Sequence, residues 1–167
     1  MLNHFVGYLA SVMYNLAIAY RSDKICKLHG FKGVRLGNVF VSGNIKIGPK
    51  TYVNSGRIVS GSRSKVVIGK RCNIGYNVLI AARTHPKEDP TNPSLPRKEA
   101  DIIIGDRVWI GANVVIREGI TIGDDAIIGA NSVVTHDVEP NQMVGGVPAR
   151  PLKVKKLVEH GFHLAHV

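Results

Sequence analysis

The chain has only two cysteines, one tryptophan, five tyrosines and four phenylalanines in 167 residues. So few thiols exclude a disulfide-stapled scaffold and fit a reducing compartment, which makes the cytoplasm the expected location. The aromatics do not interleave with basic residues and no recognisable nucleic-acid module is present, so nucleic acid is not an expected partner. Acidic side chains are scarce as well: 12 Asp and Glu stand against 22 Lys and Arg, for a formal charge of +10. Such a surface attracts anions, whether phosphorylated cofactors, anionic glycans or acidic membranes, without choosing among them. The length allows one domain with short ends.

Charge of either sign is missing altogether from the first twenty residues. Asn3, Gly7, Ser11 and Asn15 recur at every fourth place there, a narrow polar stripe on an otherwise apolar helix. A secretory signal starts with positive charge and a span tolerates few polar interruptions, whereas here Arg21, Lys24, Lys27, Lys32 and Arg35 come after the apolar stretch. Residues 1–33 are therefore expected to form an apolar helix and linker that caps the rest of the chain or packs on a partner subunit. Peripheral contact of residues 1–20 with the inner face of a membrane is the alternative.

What the chain does have is a period of six. Ile104, Ile110, Ile116, Ile122, Ile128 and Val134 succeed one another at that interval, usually with Gly next and a small or aliphatic residue at the fifth place. Neither a helix nor an ordinary strand has this period; hexapeptide repeats build parallel β-helices. The same phase runs backwards through Val41, Ile47, Val53 and Val59 and, after a shift of three, through Ile68, Ile74 and Ile80. In a triangular solenoid the aliphatic first residue points inward, and Cys72, Val78, Val108, Val114, Ile120, Ala126, Ser132 and Val138 take the corner beside it. The expected fold is an all-β solenoid of roughly four coils over residues 34–151, with an N-terminal helix. Residues 152–167 are expected to form a short, basic, helical tail that helps to cap the solenoid. His160, His163 and His166 in that tail are spread too widely on a helix to suggest a metal site, and no metal is expected.

The repeat lapses between Ile80 and Ile104, where an extended loop, 81–103, carries four prolines and many charges. A long excursion from a regular solenoid is most economically explained by use. His85 stands at its base. An unperturbed imidazole titrates near 6.5 and can take a proton from a hydroxyl at neutral pH, the role of a general base. A histidine in a loop is, on its own, more often an ordinary surface residue.

The hexapeptide units, Thr84-His85-Pro86, the run Ile104-Gly-Asp-Arg-Val-Trp109-Ile-Gly-Ala-Asn-Val-Val and the exit Gly146-Val-Pro-Ala-Arg150-Pro-Leu-Lys153 together resemble a known family. It is that of the left-handed β-helix acetyltransferases related to galactoside, maltose and nodulation-factor O-acetyltransferases. The resemblance covers about residues 40 to 153. It implies a left-handed parallel β-helix, assembly as a homotrimer with active sites between subunits, and acetyl-CoA as co-substrate. His85 matches the family's catalytic base, which deprotonates an acceptor hydroxyl for direct attack on the thioester. No Ser or Cys sits in a recognisable nucleophile motif that would argue for an acyl-enzyme.

Further residues follow from the same resemblance. Asn54 aligns with an acceptor-binding asparagine, with an outward turn residue as the other reading. Trp109, Ala112 and Ala130 are expected along the cofactor's pantetheine arm, and Thr135, Arg150 and Lys153 at its nucleotide end, where phosphates need cations. A solvated basic tail is the plainer reading of Arg150 and Lys153. Two departures count: Ser62 stands where the galactoside branch has a sugar-binding carboxylate, and His136 where it has a lysine near the cofactor. They turn the expectation away from a simple galactoside and towards a bacterial surface polysaccharide or its precursor. Transfer to a nucleotide-sugar amine or to serine uses the same architecture and stays open. From other classes, a carbonic-anhydrase-like zinc enzyme would need three converging histidines, and a non-catalytic trimeric scaffold would need none.

Overall fold

In the computed structural model, which describes residues 2–85 and 95–153, the six-residue period is wound into a left-handed parallel β-helix. A first face stacks the leading halves of Arg35–Ser42 and Tyr52–Val59 over Asn73–Ile74, Trp109–Ile110, Ile127–Ile128 and Met143–Gly145. The trailing halves of the same two long strands continue a second face through Val78–Ala81, Val115–Ile116 and Val133–Val134. A third face holds Asn44–Ile47, Lys65–Ile68, Ile102–Ile104 and Thr121–Ile122, so four coils are complete on all three sides.

The core is three aliphatic columns. Leu36, Val53, Ile74, Ile110, Ile128 and Val144 stack behind the first face. Val41, Ile58, Ile80, Ile116 and Val134 stack behind the second, and Ile47, Ile68, Ile104 and Ile122 behind the third. All but the partly exposed Val41 are buried. Two-residue strands cannot persist alone; stacking in register gives each its ladder hydrogen bonds and its burial together. The eight expected corner residues from Cys72 to Val138 are buried too. Ser132 is tolerated among them because its hydroxyl donates to the Gly129 carbonyl at 2.7 Å and accepts from the Gly146 N–H at 3.1 Å.

One position differs from the expected phase. Ile58, not Val59, stacks with Ile80, while Val59 lies beside Ala81. The strand Tyr52–Val59 turns a corner without a break, bending at Gly56 with φ 135°, and so spends five residues where regular units spend six. The turn at 60–64 more than makes up the difference: Ile58 to Ile68 spans 10 residues, and Val53 to Ile74 is a coil of 21. In the middle of the prism the count is regular: Ile110 to Ile128 is one coil of 18 residues, whereas Ile74 to Ile110 spans 36. The excursion thus inserts one coil's length of chain without disturbing the register on either side.

At the start, the helix Leu2–His29 is longer than the charge-free stretch and runs on through Arg21, Lys24 and Lys27. It ends where Gly30 adopts φ 68°, with Gly30 N–H bonded to the Lys27 carbonyl and Phe31 N–H to the Cys26 carbonyl, a Schellman ending that favours glycine. Its last turns dock on the first coil: Leu36 N–H donates to Ser22 Oγ at 3.3 Å, Arg21 donates to Asn38 Oδ1 at 3.2 Å, and Ile25 and Cys26 pack against the core. At the other end the segment after Gly146 folds back, pairing Arg150–Pro151 antiparallel with Met143–Gly145, and Leu152 N–H bonds to the Met143 carbonyl. That return covers the last coil. The expected tail helix with its three histidines, and Pro86 with the loop tip, lie outside the described residues.

Candidate active site

On the first face the residue before each inward aliphatic points outward, and the register stacks these as Arg35, Tyr52, Asn73, Trp109, Ile127 and Met143. The residue after it is Gly at positions 37, 75, 111, 129 and 145, and Asn only at position 54. Close coil spacing requires glycine at Gly37, Gly75 and Gly111: a Cβ on Gly37 would fall on the Asn54 carbonyl oxygen. The next column brings Tyr76, Ala112 and Ala130 into line. The result is an open trough of about 450 Å³ whose floor is Gly and Ala backbone and whose sides are Tyr52, Asn54, Tyr76, Trp109 and Met143. Trp109 is 57% exposed, which no packing role explains.

Four expected site residues therefore share one surface: Asn54, Trp109, Ala112 and Ala130. Tyr52, Asn73, Tyr76 and Met143 join them without having been singled out in the sequence. A signal was available for two of these, since Tyr52 and Asn73 precede Val53 and Ile74 by the same single place by which Trp109 precedes Ile110.

His85 is elsewhere. It follows the short strand Arg83–Thr84, which pairs antiparallel with Lys98–Glu99 to form the stem of the loop at the edge between the second and third faces. Its side chain is exposed. Ser62 is one coil away on the same edge, in the turn that grips the stem: the Glu99 carboxylate accepts from the Arg63 N–H at 2.7 Å and from the Ser64 hydroxyl at 3.3 Å. The Arg63 N–H, more than any other contact, holds the Glu99 carboxyl below its usual range. From the following coil, Glu118 meets Lys98 Nζ at 3.1 Å and Arg117 at 3.0 Å. Thr135 and His136 lie further along this edge, hydroxyl to Nδ1 at 2.9 Å. His136 and Arg150 border a second cavity of about 350 Å³ at the closed-off end of the prism; Lys153 is exposed just beyond it.

One chain thus presents two separate loci, the trough on the first face and the histidine edge between the other two. Among the described residues, no three His, Cys, Asp or Glu side chains converge to hold a metal ion.

Comparison with known proteins agrees with this architecture. The model of the bacterial transferase hexapeptide (six repeats) matches residues 101–136, and that of the hexapeptide repeat of succinyl-transferase matches residues 65–81. A crystal structure of a hexapeptide-repeat-containing acetyltransferase from Vibrio cholerae O1 biovar eltor, complexed with acetyl-coenzyme A, superposes with a TM-score of 0.66. It is 30% identical, over 80% of this chain and 76% of that one. The chain belongs to the hexapeptide-repeat acetyltransferases. Among relatives of known name in that family, galactoside O-acetyltransferase of Escherichia coli (strain K12) is 38% identical over 110 residues, 66% of this chain. The chain spans 54% of that enzyme's length. A putative lipopolysaccharide biosynthesis O-acetyl transferase of the same strain is 30% identical over 119 residues, 70% of this chain and 61% of its own length.

Proposed function

We propose that this hexapeptide-repeat protein is an acetyl-CoA-dependent O-acetyltransferase that modifies a sugar hydroxyl of a bacterial surface polysaccharide or its precursor. The observation that carries the reading is the trough: a long apolar channel with a bare Gly and Ala floor, walled by an exposed tryptophan. A flexible, uncharged pantetheine arm fits such a floor, because side chains there would block its approach to the backbone. Trp109, Ala112 and Ala130 would flank that arm. Thr135, His136, Arg150 and Lys153 would serve the nucleotide end, with the cations meeting phosphate. Acetyl-CoA bound in the trough supplies the activated acetyl group.

His85 acts as the general base. Its imidazole takes the proton of the acceptor hydroxyl as the oxygen forms its bond to the acetyl carbon, and returns a proton to the sulfur as the carbon–sulfur bond breaks. Asn54 orients the acceptor by hydrogen bonding, and Ser62 replaces charge with a neutral hydroxyl at the mouth of the site.

Because the trough and His85 lie on different sides of one prism, a working site needs a second copy, and a homotrimer that sets the edge of one subunit against the first face of the next supplies three such sites. Two free cysteines, one of them buried, suit the cytoplasm, where acetyl-CoA is made. The test is incubation with acetyl-CoA and a panel of oligosaccharides, nucleotide sugars and serine, following thiol release and product mass. Acetylation of an amine and of no hydroxyl would overturn the O-acetyl assignment.

A further inference from the structure

Among the described residues, the N-terminal helix meets the solenoid through its last turns. Ser22, Ile25, Cys26 and His29 lie on the face turned towards the first coil, and Ile18 continues that line by one more turn. The opposite face carries Met13, Leu16, Tyr20, Lys24 and Lys27, at successive steps of three, four, four and three residues. Those steps make one continuous stripe along a helix. Met13, Leu16 and Tyr20 are 69%, 63% and 72% exposed. Folding does not use them, and water is an unfavourable neighbour for an apolar stripe of this length.

We propose that this stripe seats the enzyme on an anionic bilayer surface, with Met13, Leu16 and Tyr20 at the boundary of the acyl chains and the lysines among acidic headgroups. Two observations select this occupant. The stripe changes from apolar to cationic in the direction of the prism, the order met on passing from the acyl boundary outwards through the headgroups. Lys27 is held by Asp23 at 2.7 Å, but Lys24 lies exposed beside it and Lys32 is exposed just after the helix ends, so the cationic zone is broader than one pair. Among the described residues no helix is long and apolar enough to cross a membrane, so the seating is peripheral.

The inference stands apart from the catalytic reading, because its test uses neither acetyl-CoA nor acceptor. The full chain is sedimented with vesicles of phosphatidylcholine alone and with vesicles containing about a third phosphatidylglycerol, at low salt and at 0.5 M NaCl. Binding is expected only to the anionic vesicles, and weaker in salt, where screening shortens the reach of the lysines to a few ångströms. The double variant L16D/Y20D should lose that binding while keeping the circular dichroism of the native coil. K24E/K32E should weaken it about tenfold or more, on the scale of roughly 1 kcal/mol per surface cation. No sedimentation with either vesicle, or equal sedimentation with both, would overturn the proposal. So would a fall in oligomeric state of L16D/Y20D by analytical ultracentrifugation, which would show that another copy covers the stripe.

Discussion

Lys98 and Glu118 face each other at 3.1 Å across two coils, and the Glu118 side chain is only 4% exposed while Lys98 stays largely in water. The pair joins the returning arm of the long loop to the coil beneath it. Glu118 and Arg117 also occupy a unit of the late repeat, Ile116-Arg-Glu-Gly-Ile-Thr, that lacks Gly at its second place. The irregular unit is the docking point of the irregular loop. Since Lys98 pairs with Thr84, the contact fixes the strand that carries His85 one residue later.

This relationship gives a pH dependence. Burial alone would raise the Glu118 carboxyl, but a backbone N–H, Lys98 and Arg117 outweigh it and hold the group below its ordinary value. A depressed carboxylate stabilises the fold above its unfolded pKa, near 4.3, and that contribution is lost as the pH falls through the lower folded value. Thermal midpoints measured from pH 7 down to pH 3 should fall more steeply for the native chain than for Glu118→Gln. The variant should be about 1–3 kcal/mol less stable at pH 7, the scale of a charged hydrogen bond. Identical acid slopes would show that Glu118 is not protonated in that range.

His85→Ala should lower turnover by about two orders of magnitude or more, the usual scale for losing a positioned base. The exposed side chain leaves no cavity behind, so the thermal midpoint and the dissociation constant for acetyl-CoA should hardly move. Calorimetric titration with acetyl-CoA, set beside the steady-state rate, separates these effects. Undiminished turnover would remove His85 from the mechanism.

Trp109→Ala and Asn54→Gly probe the two ends of the trough. Loss of the exposed indole should raise the KM for acetyl-CoA roughly tenfold, in proportion to the apolar area it offers a ligand. Asn54→Gly restores the glycine found at the other five levels of that ladder and should be silent in stability. Its cost should fall on the KM for the acceptor instead. If Asn54→Gly leaves acceptor kinetics unchanged, the residue is a turn position and nothing more.

Ile110 sits in the middle of the first column with no exposure, between Ile74 and Ile128. Truncating it to Ala should cost about 2–5 kcal/mol, seen as a lower midpoint in chemical denaturation. The neighbouring coils cannot collapse into the gap, because their spacing is set by ladder hydrogen bonds. A loss below about 1 kcal/mol would mean that the columns pack less rigidly than their register implies.

The period of six was enough to give the solenoid, its inward columns and the loop, because each unit touches chiefly its neighbours above and below and so writes its environment locally. It failed at Val59 because Tyr52–Val59 turns its corner as one strand, a feature of backbone path rather than of composition. The helix runs past residue 20 because Gly30, not the first charged residue, supplies its ending. Tyr52 and Asn73 were reachable by the offset that singled out Trp109, whereas Tyr76 and Met143 became neighbours of Trp109 only through winding.

By itself the sequence determined the architecture and the two candidate chemistries, a histidine where the repeat lapses and a Gly and Ala floor where it does not. Only the tertiary structure decided that these stand on different sides of the prism. The reason is geometric: position along a solenoid is counted in sixes, but which face a residue occupies depends on the accumulated turn of every coil before it, including one that spends five residues on a corner.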